Sequence, residues 1–372
     1  MTNKEKRRAC VFGAGKLGSF AIEILKEYDQ KFFCDNDKNK VGMLVNGFLV
    51  RGFEELTRIY IEEGDIDIYI AGYVQDIYEQ CIKNEIKITG VYSPKQYKMV
   101  SYREYCIQEK RFYCNDSFVR YSNEKENNIK KNIARFMSGE LMSNCITEVA
   151  VELSNLCNYA CIHSKCPASR IKEKTIMALS DIRNIVRQLC EIDFKGTICF
   201  QIYNEPLIDP RLFLIIEYIK QQLADVKVLV YTNGYYLTDS LGKDLQNGFA
   251  DIIIATGYGE EEYCRLINLN IDIPYYVLWG HLDERILWKS AERKSNVPCA
   301  SLFSQVPIWA NCDVGLCCMD CFQNVVFGNI KKKELKEILN SAEIRKNMES
   351  LLQGDRESVD FCAGCEWEGI SL

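Results

Sequence analysis

The chain has 372 residues and a formal net charge of -6, and 47% of its residues are hydrophobic while 26% are charged. This length accommodates two or three domains of ordinary globular composition. The negative charge argues against a nucleic-acid-binding protein, which normally carries a basic face. No apolar run is long enough to span a membrane and no signal peptide is predicted, so we expect a cytoplasmic protein.

The chain has nineteen cysteines, which is more than scattered core and surface thiols usually account for in a chain of this length. An odd number fits a disulfide framework poorly, and thiols stay reduced in the cytoplasm. Nine are scattered, and we interpret these as small core or surface residues. The other ten fall in two clusters, one central and one C-terminal, which indicates metal or iron–sulfur ligation.

The first predicted element is a short apolar strand that runs into a glycine loop and then a helix over 19–27. The loop contains Gly13, Gly15 and Gly18, and the next strand ends at Asp35. Glycines at this spacing allow a tight turn and a close approach of the backbone to a phosphate at the helix start. Asp35 is placed to accept hydrogen bonds from a ribose.

Further strands at 66–72 and 89–92 flank a helix at 74–84, so residues 1–100 predict a small Rossmann-like, doubly wound α/β unit. It resembles the nucleotide-binding domains that are fused to sugar-modifying and polysaccharide-assembly enzymes. NAD and a nucleotide-activated sugar fit the pattern equally well. A scaffold that binds no nucleotide is the alternative. Residues 101–145 predict a solvated linker that leads to one helix over 128–137.

A strand predicted over 146–153 leads into a loop that contains Cys157, Cys161 and Cys166. Thiolates are the soft ligands that iron–sulfur clusters select, and three of them would leave one iron of a four-iron cluster open to a small molecule. A zinc site formed by the three thiolates and His163 is the alternative.

This loop resembles the cluster loop of the radical S-adenosylmethionine (SAM) enzymes, Cys-x3-Cys-x2-Cys, in which Asn often follows the first Cys, as Asn158 does here. Ser164 occupies the third cysteine's usual place and Cys166 comes two residues later, an insertion that we expect the loop to absorb. The resemblance implies a [4Fe-4S] cluster on Cys157, Cys161 and Cys166 that binds SAM.

Strand-like and helix-like stretches then alternate through residues 146–298. Strands are predicted at 146–153, 197–203, 226–231, 250–255 and 273–279, and helices at 180–191, 210–223, 238–247, 260–268 and 283–292. This alternation predicts parallel strands with crossover helices, arranged as a partial (β/α)6 TIM-type barrel. Ligands of such folds bind at the carboxyl ends of the strands.

Polar motifs follow three of these strands. Tyr-Asn-Glu-Pro at 203–206 resembles the radical SAM motif Gly-Gly-Glu-Pro, which implies that Glu205 and the backbone near Asn204 bind the amino group of SAM. Both usual glycines are replaced.

The third strand ends in Tyr-Thr-Asn-Gly, which is similar to a family sequence on the ribose and carboxylate side of SAM and implies roles for Thr232 and Asn233. Thr256, after the fourth strand, stands where the family often has serine. Asn-Gly alone is an ordinary turn signal, so the argument depends on the order of the three motifs.

The C-terminal region, residues 299–372, resembles the SPASM extension of radical SAM enzymes. Its thiols are Cys299, Cys312, Cys317, Cys318, Cys321, Cys362 and Cys365. The resemblance implies one auxiliary [4Fe-4S] cluster whose ligands are Cys299, Cys317, Cys362 and Cys365, although Cys318 could replace Cys317. Residues 331–352 predict one or two amphipathic helices. A structural zinc site on the same four cysteines is the alternative.

The resemblance implies reductive cleavage of SAM to a 5′-deoxyadenosyl radical that removes hydrogen from a substrate. The auxiliary cluster would carry electrons, and a flavodoxin or ferredoxin would supply them. Because a nucleotide-binding unit precedes the barrel, we expect a sugar, polyol or nucleotide-linked small molecule as substrate. The alternatives are a peptide-modifying radical SAM enzyme, an NAD- or nucleotide-sugar-dependent oxidoreductase with structural zinc, and a cluster-bearing binding protein.

Overall fold

The computed structural model describes residues 7–64, 66–159, 174–280, 297–320, 322–359 and 361–365. The protein is a mixed α/β structure with two sheets. It divides into two compact units, Met1–Arg120 and Tyr121–Leu372, and the division falls within the helix Asp116–Met137. None of the described helices is long and apolar enough to cross a membrane.

The first unit contains a seven-stranded sheet of order β3-β4-β2-β1-β5-β6-β7. Its strands are β1 Arg8–Phe12, β2 Gln30–Cys34, β3 Leu44–Val45, β4 Phe48–Arg51, β5 Ile66–Ile70, β6 Gly90–Ser93 and β7 Lys98–Val100, and β8 Tyr113–Cys114 follows. Its helices are α1 Lys16–Ile24, α2 Phe53–Glu63, α3 Val74–Lys83 and α4 Tyr102–Glu109. The central strand β1 is parallel to both β2 and β5. The direction of winding therefore reverses between β1 and β5, where ligands of open α/β sheets bind.

In the second unit the strands follow the order β16-β15-β14-β9-β10-β11-β12-β13. They are β9 Glu148–Val151, β10 Thr197–Phe200, β11 Lys227–Thr232, β12 Ile252–Gly257, β13 Tyr275–Trp279, β14 Val306–Ile308, β15 Asp313–Gly315 and β16 Val326–Asn329. The helices are α5 Asp116–Met137, α6 Leu179–Glu191, α7 Leu212–Gln222, α8 Asp239–Asp244, α9 Glu260–Ile267, α10 Ser301–Ser304, α11 Leu335–Leu339 and α12 Ala342–Leu352. All neighbouring pairs from β14 to β13 are parallel.

Helices cover the parallel strands through one apolar face each. In α6 the buried residues include Ile182, Ile185, Val186 and Leu189, a spacing that places them on one side of the helix. The strand β9 is buried along its whole length, as expected for a strand in a parallel sheet. This packing leaves the loops after the strands as the places where polar side chains meet.

The predicted linker was wrong in its extent, because α5 begins at Asp116 and includes the polar run 122–128. The helix buries Val119, Ile129, Ile133 and Phe136, while its other side carries the charged residues that suggested a solvated linker. The hairpin of β3 and β4 was also missed, although Asn46-Gly47 at its turn is a standard signal and both residues have positive φ. The helix predicted at 283–292 lies outside the described residues.

Candidate active site

The loop that carries the first cysteine cluster is fixed at both described ends. Asn155 donates its backbone N–H to the carbonyl oxygen of Thr175 at 3.1 Å, and its side-chain Oδ1 accepts the backbone N–H of Thr175 at 2.9 Å. Cys157 and Asn158 follow directly. Cys161 and Cys166, with Ser164 between them, lie outside the described residues, as does His163. Asn155 and Thr175, which are 20 residues apart in sequence, therefore lie side by side in space.

Asn233 connects the cluster loop to the end of β11. Its side-chain Nδ2 donates to Asn158 Oδ1 at 2.8 Å and lies 3.5 Å from Cys157 Sγ. Its backbone N–H donates to Glu205 Oε2 at 2.6 Å. The sequence motifs after β9, β10 and β11 therefore meet at one edge of the sheet.

Glu205 is fully buried and accepts hydrogen bonds from three groups of the protein. Its Oε1 accepts from Thr232 Oγ1 at 2.8 Å and from the Leu207 N–H at 2.9 Å, in addition to the Asn233 bond. Burial raises the pKa of Glu205 to about 7, although these three hydrogen bonds act to lower it. The carboxylate thus fixes the relative positions of the loops after β10 and β11.

Asn204 has a buried side-chain amide with no partner in the part of the chain that the structure describes. Both Nδ2 and Oδ1 are inaccessible and make no hydrogen bond there. The preceding segment is strained, because Ile202 has a φ of 132°, which β-branched residues rarely adopt. A buried amide without partners costs free energy unless a ligand supplies them. One donor and one acceptor suit the carboxylate and ammonium of an amino-acid group, which SAM carries.

Thr256 is also buried, but its described contact is different. Its hydroxyl donates to Tyr231 Oη at 3.5 Å, which places it between the ends of β11 and β12. No described hydrogen bond joins it to Glu205 or Asn233.

Glu152, at the end of β9, is a residue that the sequence interpretation missed. Its Oε1 accepts the N–H of Tyr203 at 3.1 Å, and its Oε2 accepts the N–H of Ala310 at 3.0 Å. Burial raises its pKa to about 7, and the two backbone hydrogen bonds act to lower it. Glu152 therefore joins the loop that bears Asn204 to the segment after β14. A glutamate directly after a buried strand, at its carboxyl end, was the available signal.

Glu262 and Arg265, on α9, were missed as well. Glu262 Oε2 accepts from Tyr159 Oη at 3.1 Å and from the N–H of Tyr258 at 2.9 Å, and Arg265 donates to the carbonyl oxygen of Gly234 at 2.7 Å. Burial and the nearby Glu262 raise the pKa of Tyr159 to about 12. These contacts anchor the cluster loop to the ends of β11 and β12.

The predicted auxiliary ligands lie together in the C-terminal region. Burial and, to a smaller extent, the neighbouring thiols of Cys299 and Cys365 raise the pKa of Cys362 to about 12. Cys317 lies beside Cys299 and Cys318, and its Sγ is 3.4 Å from the backbone nitrogen of Met319. A bound metal or cluster reverses this preference for the neutral thiol, since coordinated cysteine is deprotonated.

Other C-terminal thiols differ in position. Cys312 lies near Asp181 and Lys331 instead, and Cys321 is outside the described residues. No set of three or more His, Cys, Asp or Glu residues in the described ranges is arranged to hold a single metal ion.

The glycine loop of the first unit contains two glycines that the fold requires. Gly13 has a φ of 114° and donates to the carbonyl oxygen of Cys34, and a Cβ there would lie 2.2 Å from Ala71 O. A Cβ on Gly18 would lie 1.8 Å from Gly13 O. A Cβ on Gly15 would meet nothing within 4 Å, so an open space lies beside the start of α1.

Asp35 supports this loop from the end of β2. Its Oδ2 accepts the N–H of Ala14 at 2.8 Å and the ammonium of Lys40 at 3.0 Å, and its Oδ1 accepts the N–H of Asp37 at 2.9 Å. Burial acts to raise the pKa of Asp35, but these three hydrogen bonds outweigh it and lower the pKa below the usual value. The structure thus brings Asp35 and the glycine loop together, with the carboxylate engaged by the protein.

Residues 299–366 match the SPASM family, described as an iron-sulfur cluster-binding domain. Over 236 residues, 60% of this chain and 94% of the relative, the sequence is 25% identical to the S-adenosyl-L-methionine-dependent 2-deoxy-scyllo-inosamine dehydrogenase of Niallia circulans. The chain therefore carries a SPASM domain and is similar in sequence to a SAM-dependent dehydrogenase. The radical SAM and SPASM resemblance is thereby confirmed, and the homology supports SAM and [4Fe-4S] clusters as cofactors.

Two solved structures resemble this chain. The crystal structure of BtrN in complex with AdoMet and 2-DOIA matches with a TM-score of 0.52 and 23% identity, covering 60% of this chain and 93% of that chain. An open conformation of SeMet BtrN matches with a TM-score of 0.48 and 22% identity, over 60% and 92% of the two chains. At this identity the first match supports the fold alone.

Proposed function

We propose that this protein cleaves SAM reductively at a [4Fe-4S] cluster held by Cys157, Cys161 and Cys166 and oxidises a hydroxyl-bearing small molecule. The observation that carries the proposal is the chain of contacts from Cys157 through Asn233 to Glu205. It joins the first cysteine of the cluster loop to both SAM motifs at the carboxyl ends of neighbouring parallel strands. In our proposal these strands form the partial barrel of residues 146–298.

When bound, the cluster and SAM supply the one-electron chemistry that removes a hydrogen atom from a C–H bond. The protein's own residues hold and orient these groups. Asn204 would bind the amino-acid end of SAM with its unpartnered amide. Glu205 keeps Asn233 turned towards Cys157, and Thr256 lines the neighbouring strand end.

We propose that Cys299, Cys317, Cys362 and Cys365 hold one auxiliary [4Fe-4S] cluster in a domain of residues 299–372. Oxidation of a secondary alcohol to a ketone removes one hydrogen atom, one proton and one further electron. The four cysteines would hold the group that accepts this electron, since a cluster with four protein ligands has no open iron for SAM. A flavodoxin or ferredoxin would reduce the SAM-binding cluster.

The proposed substrate is a sugar, polyol or aminocyclitol, because the relative acts on the aminocyclitol 2-deoxy-scyllo-inosamine. A nucleotide-linked sugar is the second candidate, and the first unit favours it. The open space beside Gly15 at the start of α1 suits a phosphate of NAD or of a nucleotide-activated sugar, with Gly13, Gly18 and Asp35 shaping the loop. On this proposal residues 1–100 form a Rossmann-like domain and 101–145 connect it to the barrel.

The test is an anaerobic preparation of the full chain. Iron and zinc are measured, the protein is reduced with dithionite, and SAM is added with 2-deoxy-scyllo-inosamine or with a uridine-diphosphate sugar. About eight irons per chain, as two four-iron clusters require, together with release of 5′-deoxyadenosine support the proposal. Zinc without iron supports the oxidoreductase alternative, and an iron protein that leaves SAM intact supports a binding protein.

A further inference from the structure

Arg356 is a fully buried cation in the C-terminal region. Its side chain is 2% exposed. Its Nε donates to the carbonyl oxygen of Val297 at 3.0 Å and its Nη1 donates to the carbonyl oxygen of Cys365 at 3.1 Å. Its Nη2 is buried and has no hydrogen-bond acceptor within the described residues.

The charge of Arg356 has no carboxylate partner within ion-pairing distance in the ranges that the structure describes. Asp320, a buried carboxylate near Cys362, makes its described hydrogen bonds elsewhere, since its oxygens accept from Asn324 Nδ2 at 2.6 Å and from the N–H of Val325 at 2.8 Å. Moving an ion out of water costs several kcal/mol unless an opposite charge compensates it. Among the described residues, the interior therefore holds a positive charge that no carboxylate compensates.

The nearest ionisable groups to Arg356 include the proposed cluster ligands. Arg356 lies close enough to Cys299 and Cys362 for its positive charge to act on both thiols. Its hydrogen bonds also reach the backbone of Cys365 and of Val297, two residues before Cys299. The guanidinium thus lies near two of the four thiols and is hydrogen-bonded to the backbone of a third proposed ligand, Cys365.

We infer that Arg356 compensates the negative charge of the auxiliary cluster and donates its remaining Nη2–H to a sulfur of that cluster or of its ligands. Four thiolates around a four-iron cluster give a net negative charge that grows by one when the cluster accepts an electron. A buried cation stabilises the more negative state and so raises the reduction potential, because charge and hydrogen bonds to sulfur set this potential. The inference rests on the proposed function, in which the electron comes from the substrate.

The competing explanation is that Arg356 only fastens the backbone of Val297 to that of Cys365. The two explanations differ in the reduction potential, which a fastening role leaves unchanged. We would measure the potential in the full chain with Cys157, Cys161 and Cys166 replaced by Ala, so that only the auxiliary cluster remains. Dithionite supplies the electron, and the EPR signal of the reduced cluster is followed in a redox titration.

Three substitutions are compared in this background. Arg356→Gln should lower the ratio of reduced to oxidised cluster at fixed potential by tenfold or more, which is 59 mV for a one-electron couple. Arg356→Lys keeps the charge and should shift the ratio much less. Lys346→Gln removes the same charge from an exposed position on α12 and should leave the ratio unchanged.

The outcomes separate this inference from the proposed function. A background protein without iron overturns the assignment of the four ligands itself. Full iron content with an unchanged potential in Arg356→Gln overturns the role of Arg356 alone, as do equal shifts in Arg356→Gln and Arg356→Lys. If Arg356→Gln fails to bind iron and Arg356→Lys binds it, the charge is required. If both fail, the fastening explanation holds.

Discussion

Both units have carboxylates at the ends of their parallel strands, but the units differ in whether a cation compensates the negative charge. In the first unit Asp35 accepts hydrogen bonds from Ala14 and Asp37 and also from the ammonium of Lys40. In the second unit the described hydrogen bonds to Glu152 and Glu205 come only from backbone and hydroxyl groups, and neither has a described cation within ion-pairing distance.

This difference agrees with the ligands that we propose. SAM carries a sulfonium and an ammonium, and a site with uncompensated carboxylates attracts positive charge. A phosphate is an anion, and the first unit offers it backbone N–H groups at the start of a helix and a carboxylate already neutralised by Lys40. The local charge at each strand edge therefore distinguishes the two kinds of ligand.

The largest effect that we expect tests the cluster loop of the second unit. Cys161→Ala should reduce 5′-deoxyadenosine formation to background, because the proposed cluster loses a ligand. Ser164→Ala should leave the rate unchanged, although Ser164 stands where the family has its third cysteine. Loss of activity in Ser164→Ala, with activity retained in Cys166→Ala, would show that the ligand assignment is wrong.

The next largest effect is expected in the glycine loop of the first unit, where Gly13 and Gly15 should respond differently to substitution. Gly13→Ala should destabilise the protein by about 3 kcal/mol or more, because the new Cβ would overlap Ala71 O and the residue has a positive φ. Gly15→Ala should leave the free energy of unfolding within about 0.5 kcal/mol of wild type, since its Cβ meets no atom.

The same glycine pair tests nucleotide binding. Gly15→Ala should weaken the binding of NADH or of a uridine-diphosphate sugar, measured by calorimetry, if the backbone there approaches a phosphate. Equal affinity in wild type and Gly15→Ala would favour a scaffold that binds no nucleotide.

The sequence predicts features that depend on local patterns better than contacts between residues that are distant in sequence. The glycine loop, the parallel strands and the motifs at Glu205 and Asn233 depend on local patterns, and these were found where they were predicted. The contacts of Glu152 with Ala310 and of Tyr159 with Glu262 join residues more than 100 positions apart, and no local pattern specifies such pairs. The polar run in α5 was interpreted as a linker. A helix can carry such a polar run on one face when its opposite face is apolar and buried.

A fourth prediction uses the opposite pKa shifts of Glu152 in the second unit and Asp35 in the first. The pKa of Glu152 is raised from 4.5 to about 7, so the folded state binds a proton more tightly than the unfolded state. The free energy of unfolding should therefore fall as pH rises from 4.5 to 7, by on the order of 3 kcal/mol for this group. Glu152→Gln removes this pH dependence. The free energy of unfolding of the variant, measured by urea denaturation, should therefore rise relative to that of wild type between pH 5 and pH 8.

Asp35→Asn is the matched control for this prediction. Because the pKa of Asp35 is lowered, its contribution to stability is present above its ordinary pKa and is lost as pH falls through the folded value. The loss of stability in this variant should be greatest at neutral pH and should shrink in acid. Parallel pH curves for wild type and both variants would contradict the proposed difference between the two edges.

The smallest effect concerns Asn204, whose substitution should increase stability but weaken the binding of SAM. Asn204→Leu removes a buried amide without described partners, so the protein without SAM should be stabilised by about 1 kcal/mol. The variant should bind SAM about tenfold more weakly, because hydrogen bonds to its amino-acid group are lost. Thermal unfolding and equilibrium dialysis measure the two quantities. A variant that is destabilised and binds SAM normally would exclude the contact.

The pairing of β14 with β9 has a consequence for biosynthesis. The strand that leads to the cluster loop keeps one side unpaired until residues 306–308 have left the ribosome, more than 150 residues after it. During that interval the nascent chain exposes a hydrogen-bonding edge to other polypeptides. We expect chaperone capture and misassembly to concentrate in this interval, and insertion of iron to follow release of the finished chain.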